Sequence, residues 1–255
     1  MLFPANTMKR IFVDKSKVGD SVILIDNEDD FHHIKDVLKM RAGDRILISD
    51  SKQWEYICEI SGIFRNEAEA RIIDKQKFAS EPKLRVTLFQ GIPKAGKMDL
   101  TVQKAVELGV SEIVPVFMDR TVVVDRGNFW KRVVRFKSIS EEASKQCGRG
   151  IIPEIRQATL FSEIIQRLKS FPVIVFPYEN EETTTIKDCL RRLSMNGNVP
   201  ERIAIIIGPE GGFSEKEADT LKGIGAESVS LGKTILRTET AGIATLAMCM
   251  YELEL

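Results

Sequence analysis

Between Lys9 and Ile73 apolar and polar positions alternate in five short runs, Lys9–Val13, Ser21–Ile25, Arg45–Ser49, Trp54–Ile60 and Ala68–Ile73, separated by Gly, Asp and Asn. That rhythm predicts strands, and their number and length suit a small β-barrel. One segment breaks it. From Asp30 to Lys39, Phe31, Ile34, Val37 and Leu38 recur at helical spacing after an acidic start, and Gly43-Asp44 then turns the chain.

Beyond Phe78–Lys83, which carries a proline where the pattern changes, the period lengthens. Strands are predicted at Leu84–Gln90, Ile113–Phe117, Val173–Phe176, Ile203–Ile207 and Ser228–Leu231. They are interleaved with helices at Lys97–Leu108, Asn128–Gln146, Phe161–Lys169, Thr184–Met195 and Thr240–Tyr251. The strands are continuous apolar runs, as expected of a mainly parallel sheet covered on both faces. The expected division is therefore a β-barrel over residues 1–77 and an α/β domain over 78–255.

Composition narrows the class. With 43% hydrophobic and 29% charged residues the chain matches soluble globular proteins, so disorder and coiled coil are excluded. No run approaches the 18 apolar residues of a membrane span, and the start lacks a signal-peptide pattern, which predicts a cytoplasmic protein without membrane contact. Cys58, Cys147, Cys189 and Cys249 are too widely spaced for a zinc or redox motif and read as reduced, mostly buried thiols. The only histidines, His32 and His33, are adjacent and point to different sides of any element, so neither metal nor Ser-His chemistry is expected. Net charge is zero, yet Lys83–Arg156 holds 14 basic against 8 acidic residues. That local excess fits either a polyanion-binding face or a solvated basic helix.

The segment Ile205–Ser214 runs from a buried strand through Gly208-Pro209-Glu210-Gly211-Gly212 into a helix whose start is marked by a Ser214/Glu217 capping box with Phe213 and Ala218 at staple positions. Such a turn lies outside the carboxyl end of a strand, where open α/β sheets bind small molecules, although a ligand-free turn would carry the same glycines. A second loop, Leu231–Gly242, leads into a helix with Ile243, Leu246, Ala247 and Met250 on one side. Its Gly232-Lys233-Thr234 is no phosphate loop, because the position that should hold the first glycine is Glu227. Neither loop has the dinucleotide spacing.

Lys94–Val110, the Arg120 region, Glu142–Arg149 with Pro153, Gly208–Ser214 and Leu231–Ala241 together resemble the ribosomal small-subunit RNA uridine methyltransferases, and Met8–Val13 is similar to that family's usual start. The resemblance spans nearly the whole chain. It implies a SPOUT-class α/β methyltransferase domain with a mainly parallel sheet and a C-terminal trefoil knot, preceded by a PUA-like β-barrel. It also implies a homodimer that methylates the N-3 imide nitrogen of a uridine in 16S rRNA, within the assembled small subunit, using S-adenosylmethionine.

The resemblance places the cofactor against Phe176 and Pro177, Gly208 to Gly212, and Leu231, Gly232, Ile235, Leu236, Arg237, Thr240 and Ala241. Imide methylation needs a proton acceptor or a group that stabilises charge delocalised onto the flanking carbonyls. Arg237 is the first candidate for the second task, with Arg10 and Arg149 as alternatives. Glu210 is either the base or a carboxylate that fixes its own turn. Arg10, Lys94, Lys97, Arg120, Arg126, Arg132, Arg135 and Arg149 are the expected RNA contacts, whereas Trp130 and Phe136 read as core. The rival reading is an RNA-binding assembly factor that keeps the fold without catalysis. A nucleotide hydrolase is disfavoured by the missing phosphate loop.

Overall fold

A computed structural model describes residues 8–78, 81–94, 96–195 and 199–254; the extension Met1–Thr7 lies outside them. The chain forms two compact units, one containing Met1–Glu81 and Ser144–Ile152, the other Pro82–Ala143 and Pro153–Leu255.

The first unit is a five-stranded sheet, β1 (Arg10–Phe12), β2 (Val22–Ile25), β3 (Arg45–Ser49), β4 (Trp54–Ile63) and β5 (Ala68–Lys77), in the order β1-β3-β4-β5-β2. Only β1 and β3 run parallel. Alternation puts Ile11, Ile23, Ile25, Ile46, Ile48, Tyr56, Cys58 and Ile60 into one buried cluster. The ladder between β4 and β5 shifts register at Ile57/Cys58 and again at Ile60/Gly62, bulges that bend a long hairpin toward closure. The helix expected over 30–39 begins earlier, at Glu28, because Asn27 caps it by accepting from the Asp29 and Asp30 amides. This α1 (Glu28–His32) then widens into a π-helical turn, His33–Val37, which leaves Ile34 buried but turns Val37 out to solvent.

In the second unit seven parallel strands form one sheet, in the order β12-β10-β11-β6-β7-β8 with β9 also on β7. They are β6 (Arg85–Gly91), β7 (Glu112–Phe117), β8 (Glu154–Ile155), β9 (Thr159–Leu160), β10 (Val173–Pro177), β11 (Arg202–Ile207) and β12 (Glu227–Val229). The helices are α2 (Lys97–Glu107), α3 (Trp130–Cys147), α4 (Phe161–Leu168), α5 (Ile186–Met195), α6 (Glu215–Gly223) and α7 (Thr238–Leu253). Phe89, Val114, Val116, Ile174, Phe176, Ala204 and Ile206 fill one buried cluster with Phe213, Ala218 and Leu221 from the turn and helix after β11. The capping box forms as the sequence predicts: the Glu217 amide donates to Ser214 Oγ at 3.2 Å and the Ser214 amide to Glu217 Oε2 at 2.9 Å.

Trp130 departs from expectation. It is 54% exposed at the first turn of α3, whereas Phe129, just before that helix, and Phe136, within it, are buried and take the core positions. Cys58, Cys189 and Cys249 are buried, and burial pushes each thiol up to about 12, so they behave as small hydrophobes. Among the described residues no helix is long and apolar enough to cross a membrane.

Candidate functional site

Three loops leave the carboxyl ends of β10, β11 and β12, and a cavity of about 470 Å³ lies among them. Pro177, Tyr178 and Glu179 line it from the end of β10, Gly208, Pro209, Glu210, Gly212 and Phe213 from the turn after β11, and Val229 to Thr238 with Ala241 from the last loop. Parallel strands produce this arrangement, since each loop exits the same edge of the sheet before its helix returns.

The turn after β11 fits against the end of β6. A Cβ at Gly91 would come within 2.6 Å of the Pro209 nitrogen and 2.8 Å of the Ile207 oxygen, so only glycine lets β6 finish there. Gly212 has φ +68°, and a Cβ on it would stand 3.3 Å from Glu179 Oε1, across the cavity wall. Phe213 fixes the far side of the turn by packing edge-on to Phe176 at 5.6 Å between ring centres. The loop after β10 is tied back by Glu181, which accepts from Ser228 of β12 and from Thr183 and Thr184. Those hydrogen bonds, from the Ser228 and Thr183 hydroxyls first, depress its carboxyl to about 2.

Charge collects on one side of the cavity. Glu210 Oε1 accepts from the Lys94 amide at 2.9 Å and from Lys97 Nζ at 3.1 Å, and Lys97 Nζ also lies 3.4 Å from Glu239 Oε2. Burial pushes the Glu210 carboxyl up, but the Lys94 amide, its own amide and Lys97 outweigh it and hold the group below the usual carboxylate range. The Glu210 hydrogen bond raises Lys97 in turn, so this lysine stays charged. Arg237 occupies the N-cap of α7, where its carbonyl accepts from the Ala241 amide at 2.7 Å. Its guanidinium is exposed at the cavity and has no side-chain partner among the described residues.

Of the residues expected at a cofactor, Pro177, Gly208, Pro209, Glu210, Gly212, Leu231, Gly232, Ile235, Leu236, Arg237 and Ala241 line the cavity. Three others sit elsewhere. Phe176 is fully buried in the core, with its side chain in the ring cluster, because a residue one position before the strand end faces the opposite way from Pro177. Gly211 carries its carbonyl to Arg120, whose guanidinium donates at 2.8 Å, and a Cβ there would meet Arg120 Cβ at 2.9 Å. Thr240 is exposed, off the cavity lining.

The expected RNA contacts scatter more widely. Arg126, Arg132 and Arg135 belong to the start of α3 and the loop before it; Arg135 pairs with Asp99 at 2.8 Å, and Arg132 sits over the Phe129 ring. Lys94, Arg132 and Arg135 line a smaller notch of about 170 Å³ beside the start of α2. Lys97 points into the cavity, not toward that notch.

Arg10 and Arg149 both lie within the first unit, in ion pairs. Arg10 donates to Glu55 Oε1 at 2.5 Å and to the Arg149 carbonyl at 2.6 Å. Arg149, only 7% exposed, pairs with Glu81 at 2.7 Å. Tyr178, Glu179 and Thr238, within the same three segments that the resemblance implies, also line the cavity, as do Lys97 and Ser230, which the sequence alone does not assign to it. Strand register carries no signal for Tyr178: alternation would put it on the side of Phe176, and it reaches the cavity because it lies one residue beyond the end of β10.

The comparisons with known proteins agree with this geometry. The family described as "RNA methyltransferase domain" matches residues 80–250, and "RNA methyltransferase PUA domain" matches 25–73. The ribosomal RNA small subunit methyltransferase E of Bacillus subtilis is 28% identical across 97% of this chain and 98% of its own. The protein of the same name from Mesomycoplasma hyopneumoniae is 35% identical over 73% and 78%. The crystal structure of ribosomal RNA small subunit methyltransferase E from Neisseria gonorrhoeae bound to S-adenosyl methionine superposes with a TM-score of 0.81 at 28% identity, covering 96% of this chain and 97% of that one.

Proposed function

The chain belongs to the RNA methyltransferase domain family, and from that premise we propose that it transfers a methyl group from S-adenosylmethionine to the N-3 nitrogen of a uridine in 16S rRNA. The observation that carries the reading is the cavity of about 470 Å³ at the carboxyl ends of β10, β11 and β12, formed by the three loops that the resemblance assigns to the cofactor. Its volume falls in the range of small-molecule sites. Its glycine-built wall at Gly208 and Gly212 presents backbone groups with no side chain in the way, which suits an adenosine moiety. The residues present therefore fit the cofactor.

When bound, S-adenosylmethionine supplies an electrophilic methyl. The backbone of Gly208 to Glu210, of Gly212 and of Leu231 to Leu236 would hold it, with Pro177 and Phe213 as apolar walls. Arg237 is assigned to the charge that develops on the uracil carbonyls as the imide proton leaves, because it is a cation at this cavity with no carboxylate against it among the described residues and it is held at the N-cap of α7, whereas Lys233, also without an acidic partner there, lies in the loop before that helix. Glu210 is assigned to its turn. A carboxylate held below the usual range by an amide and a lysine is a weak proton acceptor, so the fixing role is the better supported of its two readings.

RNA docking is assigned to Lys94, Arg126, Arg132 and Arg135. A 16S rRNA substrate, taken within the assembled small subunit, implies a cytoplasmic enzyme. The homodimer and the trefoil knot rest on the family resemblance; Met248 and Tyr251, exposed on α7, are the apolar surface a second copy would cover.

The test is to incubate the protein with S-adenosylmethionine and small ribosomal subunits that lack the modification, then digest the RNA and measure nucleosides by mass spectrometry. N3-methyluridine is the expected product. Cofactor binding without any methylated nucleoside would favour the assembly-factor reading instead.

A further inference from the structure

Gln90, the penultimate residue of β6, belongs to none of the three loops that build the cavity, yet its side chain bonds to the last of them at Thr238 and, through Thr238, is joined to the turn after β11. It is fully buried. Its Nε2 donates to Thr238 Oγ1 at 2.9 Å and to the Gly91 carbonyl at 3.0 Å, and Thr238 Oγ1 in turn donates to the Gly208 carbonyl at 2.6 Å. The order of donation is forced. A hydroxyl has one proton, so once Thr238 gives it to Gly208 its lone pair needs an external donor, which the Gln90 amide provides.

The amide is retained at a cost. Gln90 Oε1 is buried without a hydrogen-bond partner among the described residues, which an apolar side chain of the same length would avoid. Helix α7 accommodates the group only because residue 242 is glycine: a Cβ there would come within 2.8 Å of that oxygen. A group kept despite an unpaired buried oxygen, and gripped by a glycine, is kept for its two donors.

What the chain of hydrogen bonds joins is informative. Gly208 opens the turn after β11, and Thr238 is the first residue of α7, directly after Arg237. We infer that Gln90 is a positioning residue for the methyltransferase site: through Thr238 it locks the turn at Gly208 to the start of α7, and so fixes the cofactor wall and the Arg237 guanidinium relative to each other. The inference rests on the methyltransferase reading above. Gln90 touches neither substrate nor cofactor in this role.

The experiment measures S-adenosylmethionine affinity by calorimetry, and the methylation rate at saturating cofactor, for Gln90→Met, Thr238→Val, Thr238→Ser and the double variant Gln90→Met/Thr238→Val. Melting temperature is followed in parallel. Gln90→Met and Thr238→Val should each weaken cofactor binding by about tenfold, the scale of one or two buried hydrogen bonds. The double variant should be no worse than the poorer single one, since both break one chain. Thr238→Ser keeps the hydroxyl and should recover most of the affinity.

Gln90→Glu adds a readout that altered packing would not give. Its protonated carboxyl can donate to Thr238 and its ionised form cannot, so cofactor affinity should fall as pH rises in this variant alone. Should Gln90→Met not fold, the Thr238→Val and Thr238→Ser pair makes the same comparison. Folded variants that bind the cofactor as tightly as the unaltered protein, or defects that multiply in the double variant, would overturn the inference. Absence of binding by the unaltered protein would remove the methyltransferase reading, and this inference with it.

Discussion

The two ends of the parallel sheet use the same ingredients, carboxylates beside cations, for opposite purposes. At the amino-terminal end Glu112 accepts from Thr87 Oγ1 at 3.1 Å, from Arg156 Nε at 2.6 Å and from Arg167. Every oxygen is used, and the Arg167 guanidinium also lies over the Phe89 ring. At the carboxyl-terminal end Glu210, Lys97 and Glu239 stand in a row beside an open cavity, and Arg237 is left with no acidic partner among the described residues. A saturated cluster stabilises what it touches. A cluster with a cation to spare, at the edge where three loops diverge, is suited to meet charge that arrives with a ligand.

The largest effect that separates the two ends should come from Gly91→Val. Its side chain would enter the backbone of the Ile207–Pro209 turn, displacing the cavity wall and destabilising the fold by about 1–3 kcal/mol, the range for overpacking. Calorimetry should detect no cofactor binding in a protein that still unfolds cooperatively. Retained affinity would mean that the turn is not the cofactor wall.

Next is Arg237→Ala, which should lower the methylation rate at saturating RNA and cofactor by about 10², the scale of removing one charge-stabilising donor. Melting temperature should hold, because the guanidinium supports no other side chain. Full single-turnover activity would dissociate Arg237 from the reaction and move attention to Lys97.

Glu112→Gln should do the reverse, costing about 1–3 kcal/mol while leaving cofactor affinity unchanged; the half-exposed arginines keep the loss at the lower end for a broken ion pair. Its pH dependence is a finer test. Burial pushes the Glu112 carboxyl up, but Arg156, Arg167 and Thr87 together hold it below the usual range. A carboxyl depressed in the folded state contributes stability above its unfolded value of about 4.3, and that contribution is lost as pH falls through the lower folded value. Acidification below about pH 4 should therefore lower the melting temperature of the unaltered protein more steeply than that of Glu112→Gln. Parallel curves would show that the cluster carries no linked stability.

The smallest change is expected from Arg132→Glu with Arg135→Glu, in the notch beside the start of α2 and outside the cavity lining. RNA binding should weaken and its salt dependence flatten, by about one unit of slope for each phosphate no longer neutralised, with cofactor affinity untouched. An unchanged slope would remove this face from RNA docking.

How much of this was legible in the sequence depends on whether a feature is local. The capping box at Ser214 and Glu217 is written within four residues and forms as read. So is the β11 turn, and eleven of the residues expected at the cofactor line one cavity. Side-chain direction was harder. Phe176 and Pro177 are neighbours in sequence but face opposite sides of a strand, and only the strand's register tells which one meets the cavity. Long-range pairing was not legible at all: Glu210 with Lys97 joins residues 113 apart, and Gln90 with Thr238 joins residues 148 apart. The same holds for Trp130, an apolar side chain at helical spacing whose core place is taken by Phe129 next to it.

The first unit is not contiguous in sequence, and that sets a schedule for its synthesis. Ser144–Ile152 supplies the Gly150 carbonyl that accepts from Ser49 Oγ at 2.5 Å, the Gly150 and Ile151 amides that donate to Glu81, and the Arg149 carbonyl that accepts from Arg10. When the ribosome has released only the first 81 residues, the five strands are all present, but Arg10, Ser49 and Glu81 still lack these partners. The barrel can collapse at that stage and cannot finish. Its final hydrogen bonds wait until α3 has been translated in full, so this amino-terminal unit, first to be made, completes only after much of the second has emerged.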